Sequence, residues 1–169
     1  MTGDAGTDSL NGGDDNDVLL GNAGKDTLDG GSGDDVLDGG DDNDSLRGSD
    51  GDDAIRGGNG NDTLLGGNGA DLLTGSAGND SLLGEAGMDT LLGDDGNDKL
   101  NRGDDDSLSG NDCNDMLTGS AENDSLSGDS GTDTLLGGSA NGTLDSGSGV
   151  DIINPGSGTD KITDSRRSP

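Results

Sequence analysis

The chain has 169 residues, a formal charge of −29, 37 glycines and no aromatic side chain. So negative a surface repels the phosphates of nucleic acids and of anionic membranes, and it asks for cations. All of its 37 acids except Glu85 and Glu122 are Asp, the short-armed acid that suits turns and hard-cation ligation rather than a generic solubilising tail. Low hydrophobicity with high charge is the composition of a disordered chain, so any order has to come from pattern. Cys113 is the single cysteine, which excludes a disulfide within the chain. No apolar run is long enough to span a bilayer. The opening Met1, Thr2, Gly3, Asp4 lacks the basic start and apolar stretch of a cleavable signal.

The pattern is a nine-residue period, plainest at residues 57–65, Gly-Gly-Asn-Gly-Asn-Asp-Thr-Leu-Leu. Eleven units run without a slip from Gly3, Gly12, Gly21, Gly30, Gly39, Gly48, Gly57, Gly66, Gly75, Gly84 and Gly93. Their sixth places are Asp8, Asp17, Asp26, Asp35, Asp44, Asp53, Asp62, Asp71, Asp80, Asp89 and Asp98. Their eighth places are Leu except Ile55. The next unit, 102–109, is one residue short: Arg102 replaces the opening Gly, and Asp106 and Leu108 keep the two key places. Units at Gly110, Gly119 and Gly128 supply Asp115, Asp124 and Asp133. The unit at Gly137 has Gly142 in the acid's place, and the last two, opening on Ser146 and Pro155, supply Asp151 and Asp160. The expectation is one array of eighteen units over 3–163, irregular at 102–109, followed by an irregular tail at 164–169 and with no second domain.

Each unit has a Gly/Asp/Asn-rich half that favours turns and left-handed backbone, and a last third long enough for a minimal strand of three residues. Side chains alternate along a strand, so the aliphatic eighth place faces inward while places seven and nine face out. One unit cannot bury its leucine alone. Two units make a flat coil of eighteen residues, and stacked coils pair each strand in parallel with the one two units later. About nine coils at roughly 4.8 Å spacing give an all-β rod about 43 Å long. Its core is a single layer of Leu and Ile, too thin to hold so much negative charge unaided.

The expected stabiliser is Ca²⁺. Sixth-place aspartates of successive coils stack on one side, as in Asp44, Asp62 and Asp80, and repel one another unless a cation lies between them. Turn carbonyls complete an oxygen shell of the six to eight ligands that Ca²⁺ accepts, where Mg²⁺ demands a tighter octahedron. With no His and one Cys, zinc is excluded. Eighteen turns on two sides leave gaps for up to about sixteen ions. Glycines at places one and four are expected to permit the turn.

These residues resemble the RTX calcium-binding nonapeptide repeat (haemolysin-type repeat), Gly-Gly-x-Gly-x-Asp-x-(large aliphatic)-x, matched at every defined place by the units at Gly30, Gly57 and Gly66. The resemblance implies a right-handed parallel β-roll, a β-solenoid with Ca²⁺ between turns. It implies a module of secreted or cell-surface bacterial proteins, exported by type I secretion and folded by calcium outside the cell. A catalytic or toxin domain attached outside this chain fits that picture. The aromatic, non-repetitive flank that caps such rolls does not occur in these residues, nor does a convincing C-terminal secretion signal. Fourth-place Asp15, Asp42, Asp105, Cys113, Glu122 and Ala140 depart from the pattern, and residues 102–145 are expected to hold calcium most weakly.

The function expected is a calcium-binding structural module, not an enzyme, since no carboxylate pair differs from its copies. The alternatives are a calcium-dependent surface-binding solenoid, ice-binding or adhesin-like, and a disordered acidic chain. Outward Thr27, Ser45, Thr63 and Ser81 stack as an ice-binding row would, but Lys99, Met116 and Ile152 break it.

Overall fold

The computed structural model describes residues 1–101 and 104–163, with the backbone alone at Asp104 and Asp105. Arg102 and the tail at 164–169 lie outside the described residues. Among those described, every element is a strand and every strand pair is parallel; no helix is long and apolar enough to cross a membrane.

Two sheets face each other. The first runs Ser9–Asp14, Thr27–Ser32, Ser45–Asp50, Thr63–Asn68, Ser81–Ala86, Lys99–Asn101, Met116–Thr118, Thr134–Leu136 and Ile152–Asn154. The second runs Val18–Ala23, Val36–Asp41, Ala54–Asn59, Leu72–Ala77, Met88–Asp95, Asp104–Asp112, Ser125–Ser127, Thr143–Asp145 and Lys161–Thr163, with two short strands, Ser130–Gly131 and Ser148–Gly149, beside it. Partners lie eighteen residues apart, as in Leu28 with Leu46 and Leu46 with Leu64. This is the parallel β-roll that the period implies. A chain of ninefold units that alternates sheets must pair each strand with the one two units on.

The eighth-place residues from Leu19 to Leu144 are all buried and form one continuous ladder between the sheets. At the ends Leu10 and Ile153 are partly buried and Ile162 is 48 % exposed. Places seven and nine face outward or sit half-buried.

Two expectations about the backbone need correction. The first nine strands are six residues long, not three, because the chain stays extended through places one to three of the following unit. Left-handed backbone occurs at places two and four, not one and four. Place four keeps positive φ even where glycine is replaced, at Asp15, Asp42, Cys113, Glu122 and Ala140. Place two holds it at Asp4, Asn22, Ser49 and Glu85. Asp and Asn enter this region at modest cost because the short polar side chain bonds locally; Ser, Glu, Cys and Ala pay more.

The missing residue of the twelfth unit is absorbed locally. Met88 pairs with Asp104, the pairing shifts, and Thr90 then pairs with Ser107. Leu91 opposite Leu108 restores the core on the next step.

Candidate metal centre

Strand alternation assigns the inner face. Counting by two from the buried eighth place gives the sixth place on one side and the first place of the next unit on the other. Asp, Leu and Gly therefore share one interior face. Thirteen sixth-place aspartates, from Asp26 to Asp133, are buried, and Asp8, Asp17, Asp151 and Asp160 are half-buried near the ends.

From Asp26 on, each of these carboxylates reaches one coil back. Oδ1 of Asp44 accepts the backbone N–H of Asp26 at 2.7 Å, Oδ1 of Asp62 accepts that of Asp44 at 2.8 Å, and Oδ1 of Asp80 accepts that of Asp62 at 2.7 Å. The opposite edge repeats the chain through Asp17, Asp35, Asp53, Asp71 and Asp89. The short unit is bridged without a break, Asp106 accepting from Asp89 and Asp115 from Asp98. Asp124, Asp133 and Asp151 continue the series by accepting from Asp106, Asp115 and Asp133. At Gly142 a link is lost; the Gly142 N–H still donates to Asp160 at 2.9 Å.

Oδ1 of the carboxylate is thus used. Oδ2 is buried with no hydrogen-bond partner in Asp8, Asp26, Asp44, Asp62, Asp80, Asp98, Asp115 and Asp133, and in Asp35, Asp53 and Asp71 on the opposite edge. A buried, unsatisfied carboxylate oxygen is costly. Burial accordingly drives several of these carboxyls toward the neutral form: Asp80 and Asp115 are pushed up to about 7, and Asp44, Asp53 and Asp71 to about 6. The backbone N–H bond opposes the rise, and the neighbouring carboxylates of the stack add to it.

The first-place glycine is the wall beside these oxygens. A Cβ on Gly57 would stand 2.5 Å from Asp62 Oδ2 and 2.8 Å from the carbonyl oxygen of Gly75, one coil on. Gly75 repeats this with Asp80 Oδ2 at 2.5 Å and the Gly93 carbonyl at 2.8 Å. Glycine is needed here for close approach, not for its dihedral freedom. The void it leaves is bordered by a carboxylate oxygen without a partner and a carbonyl oxygen of the next coil.

The donor set fits a hard cation. It holds oxygen only, it is anionic, and the orphaned Oδ2 atoms lack the positive partner that would justify their burial. Among the described residues no three acidic, His or Cys side chains converge on one point. An ion between coils would therefore draw on sixth-place carboxylates together with backbone carbonyls.

A second ladder was not foreseen. Place five is Asn or Asp in ten of the described units, and its side chain accepts a backbone N–H from the coil after it. Asn61 N donates to Asn43 Oδ1 at 3.1 Å, Asn79 N to Asn61 at 2.7 Å, Asn97 N to Asn79 at 3.0 Å, and Asn114 N to Asn97 at 3.1 Å. The fifth- and sixth-place ladders run side by side in opposite directions. Each turn is clamped to the coil before it and to the coil after it.

The family model of the RTX calcium-binding nonapeptide repeat matches residues 2–37, 29–64, 38–73, 65–100, 102–126, 109–144 and 127–162, nearly the whole chain. No curated protein matches the chain.

Proposed function

Because the chain belongs to the RTX calcium-binding nonapeptide repeat family, we propose that it is a calcium-binding repeat module whose folding is driven by Ca²⁺ held between stacked turns. The observation that carries this reading is the buried and unpartnered Oδ2 repeated in Asp26, Asp35, Asp44, Asp53, Asp62, Asp71, Asp80, Asp98, Asp115 and Asp133. The residues assigned to the ions are Asp8, Asp17, Asp26, Asp35, Asp44, Asp53, Asp62, Asp71, Asp80, Asp89, Asp98, Asp106, Asp115, Asp124, Asp133, Asp151 and Asp160, up to about sixteen sites. Bound calcium supplies the positive charge that lets adjacent carboxylates stay ionised a coil apart.

The chain's own part is to line up the oxygens. Oδ1 is held by the neighbouring N–H, Oδ2 is turned toward the first-place glycine, and that glycine leaves the room. Because the stacked carboxylates exist only in the folded state, ligation free energy becomes folding free energy. The module is a single array over 3–163 with no catalytic role of its own. Repeats of this family are typical of secreted bacterial proteins, which supports a secreted or cell-surface location, type I export and an attached domain elsewhere in the parent protein. The weakest calcium sites are assigned to 102–145, where Gly142 removes one carboxylate.

Far-UV circular dichroism during a Ca²⁺ titration, with Mg²⁺ as control, tests the reading. A cooperative gain of β signal with Ca²⁺ alone is expected. A β spectrum already complete in chelator would show that the leucine ladder suffices, and a disordered spectrum at millimolar Ca²⁺ would sink the calcium reading.

A further inference from the structure

The fifth-place ladder is interrupted on both edges of the roll. On one edge it begins after Lys25 and then runs unbroken: Asn43, Asn61, Asn79, Asn97 and Asn114 each accept the N–H of the next coil, ending at Thr132 N with 2.7 Å. Their amides also bond one another, Asn79 Nδ2 to Asn61 Oδ1 at 3.2 Å, Asn97 to Asn79 at 3.0 Å and Asn114 to Asn97 at 3.1 Å. On the other edge the ladder runs from Asn16 through Asp34 and Asp52 to Ala70 N, breaks there, and resumes at Asn123, which accepts Asn141 N at 3.1 Å, and Asn141, which accepts Thr159 N at 2.7 Å. Ala70 and Met88 occupy the two fifth places after Asp52 and have no side-chain oxygen to offer.

Each fifth-place residue immediately precedes a sixth-place aspartate. A bond that fixes the spacing of two turns at place five also fixes the separation of the carboxylates at place six. Ligands already at their working separation bind more tightly than ligands that must be ordered on binding.

We propose that turns joined by a fifth-place bond take up calcium before turns that lack one, the run from Asn43 to Asn97 filling ahead of the turns at Ala70 and Met88, with the fifth-place asparagines as positioning residues. This rests on the calcium reading above. Its content is the order of filling and the residues that set it. The asparagines accept backbone hydrogens and are not themselves assigned as ligands.

The test follows Ca²⁺ binding to the full chain by competition with a chromophoric chelator, together with amide exchange of the turn peptides around 61, 79 and 97 and around 70 and 88. Expected are two affinity classes, with protection around 61, 79 and 97 appearing at lower Ca²⁺ than around 70 and 88. Asn79→Ala lowers the affinity of the tight class by about two- to tenfold, the size of one net hydrogen bond. Asn79→Asp, which keeps the acceptor as Asp34 and Asp52 do, loses none. Ala70→Asn supplies the missing oxygen to Met88 N and raises the weak class by a similar factor, so the proposal does not depend on a variant that weakens the fold. Simultaneous protection of both sets of turns, or an Ala70→Asn chain that binds as the parent does, overturns the proposal while leaving the calcium reading intact. No calcium uptake at all removes both.

Discussion

The coils before Asp95 and those after Met116 share an interior and differ outside it. Leu64 and Leu135 are equally buried, and so are Asp62 and Asp133. Yet strands of six residues in the first region give way to three in the second. The change lies in the arm made by places one to three. The bonds of this arm change partners in the later coils, as when Ser139 N donates to the carbonyl of Ser120. The comparison teaches that the Asp–Leu–Gly interior specifies the stack, while the arm is free to vary.

The strongest way to break this comparison is to damage the shared interior. Leu64→Ala and Leu135→Ala should each cost about 2–5 kcal/mol in saturating Ca²⁺. Thermal unfolding of the two variants measures it, and a loss confined to Leu64→Ala would mean that the later coils do not rely on the same core. Next in size is Gly57→Ala. Its Cβ would collide with Asp62 Oδ2 and the Gly75 carbonyl, so a loss of about 1–3 kcal/mol, the usual range for overpacking, should accompany the loss of bound Ca²⁺ at that turn. Unchanged calcium stoichiometry would refute the role given to the glycine wall.

Acid sharpens the comparison differently. In the metal-free chain the carboxyls of Asp44, Asp53, Asp71, Asp80 and Asp115 are raised above their unfolded values, so the folded form binds more protons than the unfolded one. The stability they contribute is complete below about pH 4 and is lost as pH rises through 6 to 7. Lowering the pH of a chelated sample from 7.5 to 4 should therefore increase its β signal in circular dichroism. A spectrum independent of pH would contradict the burial of these acids. With Ca²⁺ present the sign reverses for binding, since protons compete for the same oxygens and affinity falls below about pH 7.

The smallest effect is a gain. A Cβ on Gly142 would meet Leu144 Cδ1 at 3.2 Å and the Asp124 carbonyl at 3.4 Å, a site outside the left-handed region where the end of the leucine side chain must yield by a few tenths of an ångström. Gly142→Asp should close the broken ladder, adding about one bound ion and about 1 kcal/mol in saturating Ca²⁺. Equilibrium dialysis against the parent chain decides it.

Much of this was legible in the sequence because the period fixes what stacks on what. Once Leu64 is placed inward, Leu46 and Leu82 follow, and Asp44, Asp62 and Asp80 fall into one column. The role of place one was within reach of the same alternation, since Gly66 lies two residues beyond Leu64 and must share its face. The long strands were hidden because Gly66, Gly67 and Asn68 read as turn formers, and only pairing with the neighbouring coil keeps them extended. The fifth-place ladder was hidden for a related reason. Asn61 and Asn79 suit a turn on local grounds, and their bonds to the next coil exist only once coils are stacked.

A roll built from near-identical coils carries a hazard that its one short unit answers. Were every coil eighteen residues, a chain could mispair by a whole coil and still satisfy each ladder, so folding would have many nearly equivalent outcomes. Here the steps from Asp89 to Asp106 and from Asp98 to Asp115 span seventeen residues. A chain threaded one coil out of phase would set that short step against a full-length neighbour and tear both aspartate columns. The irregular unit is thus a counting mark: it tells a repetitive polymer where along its own length it is.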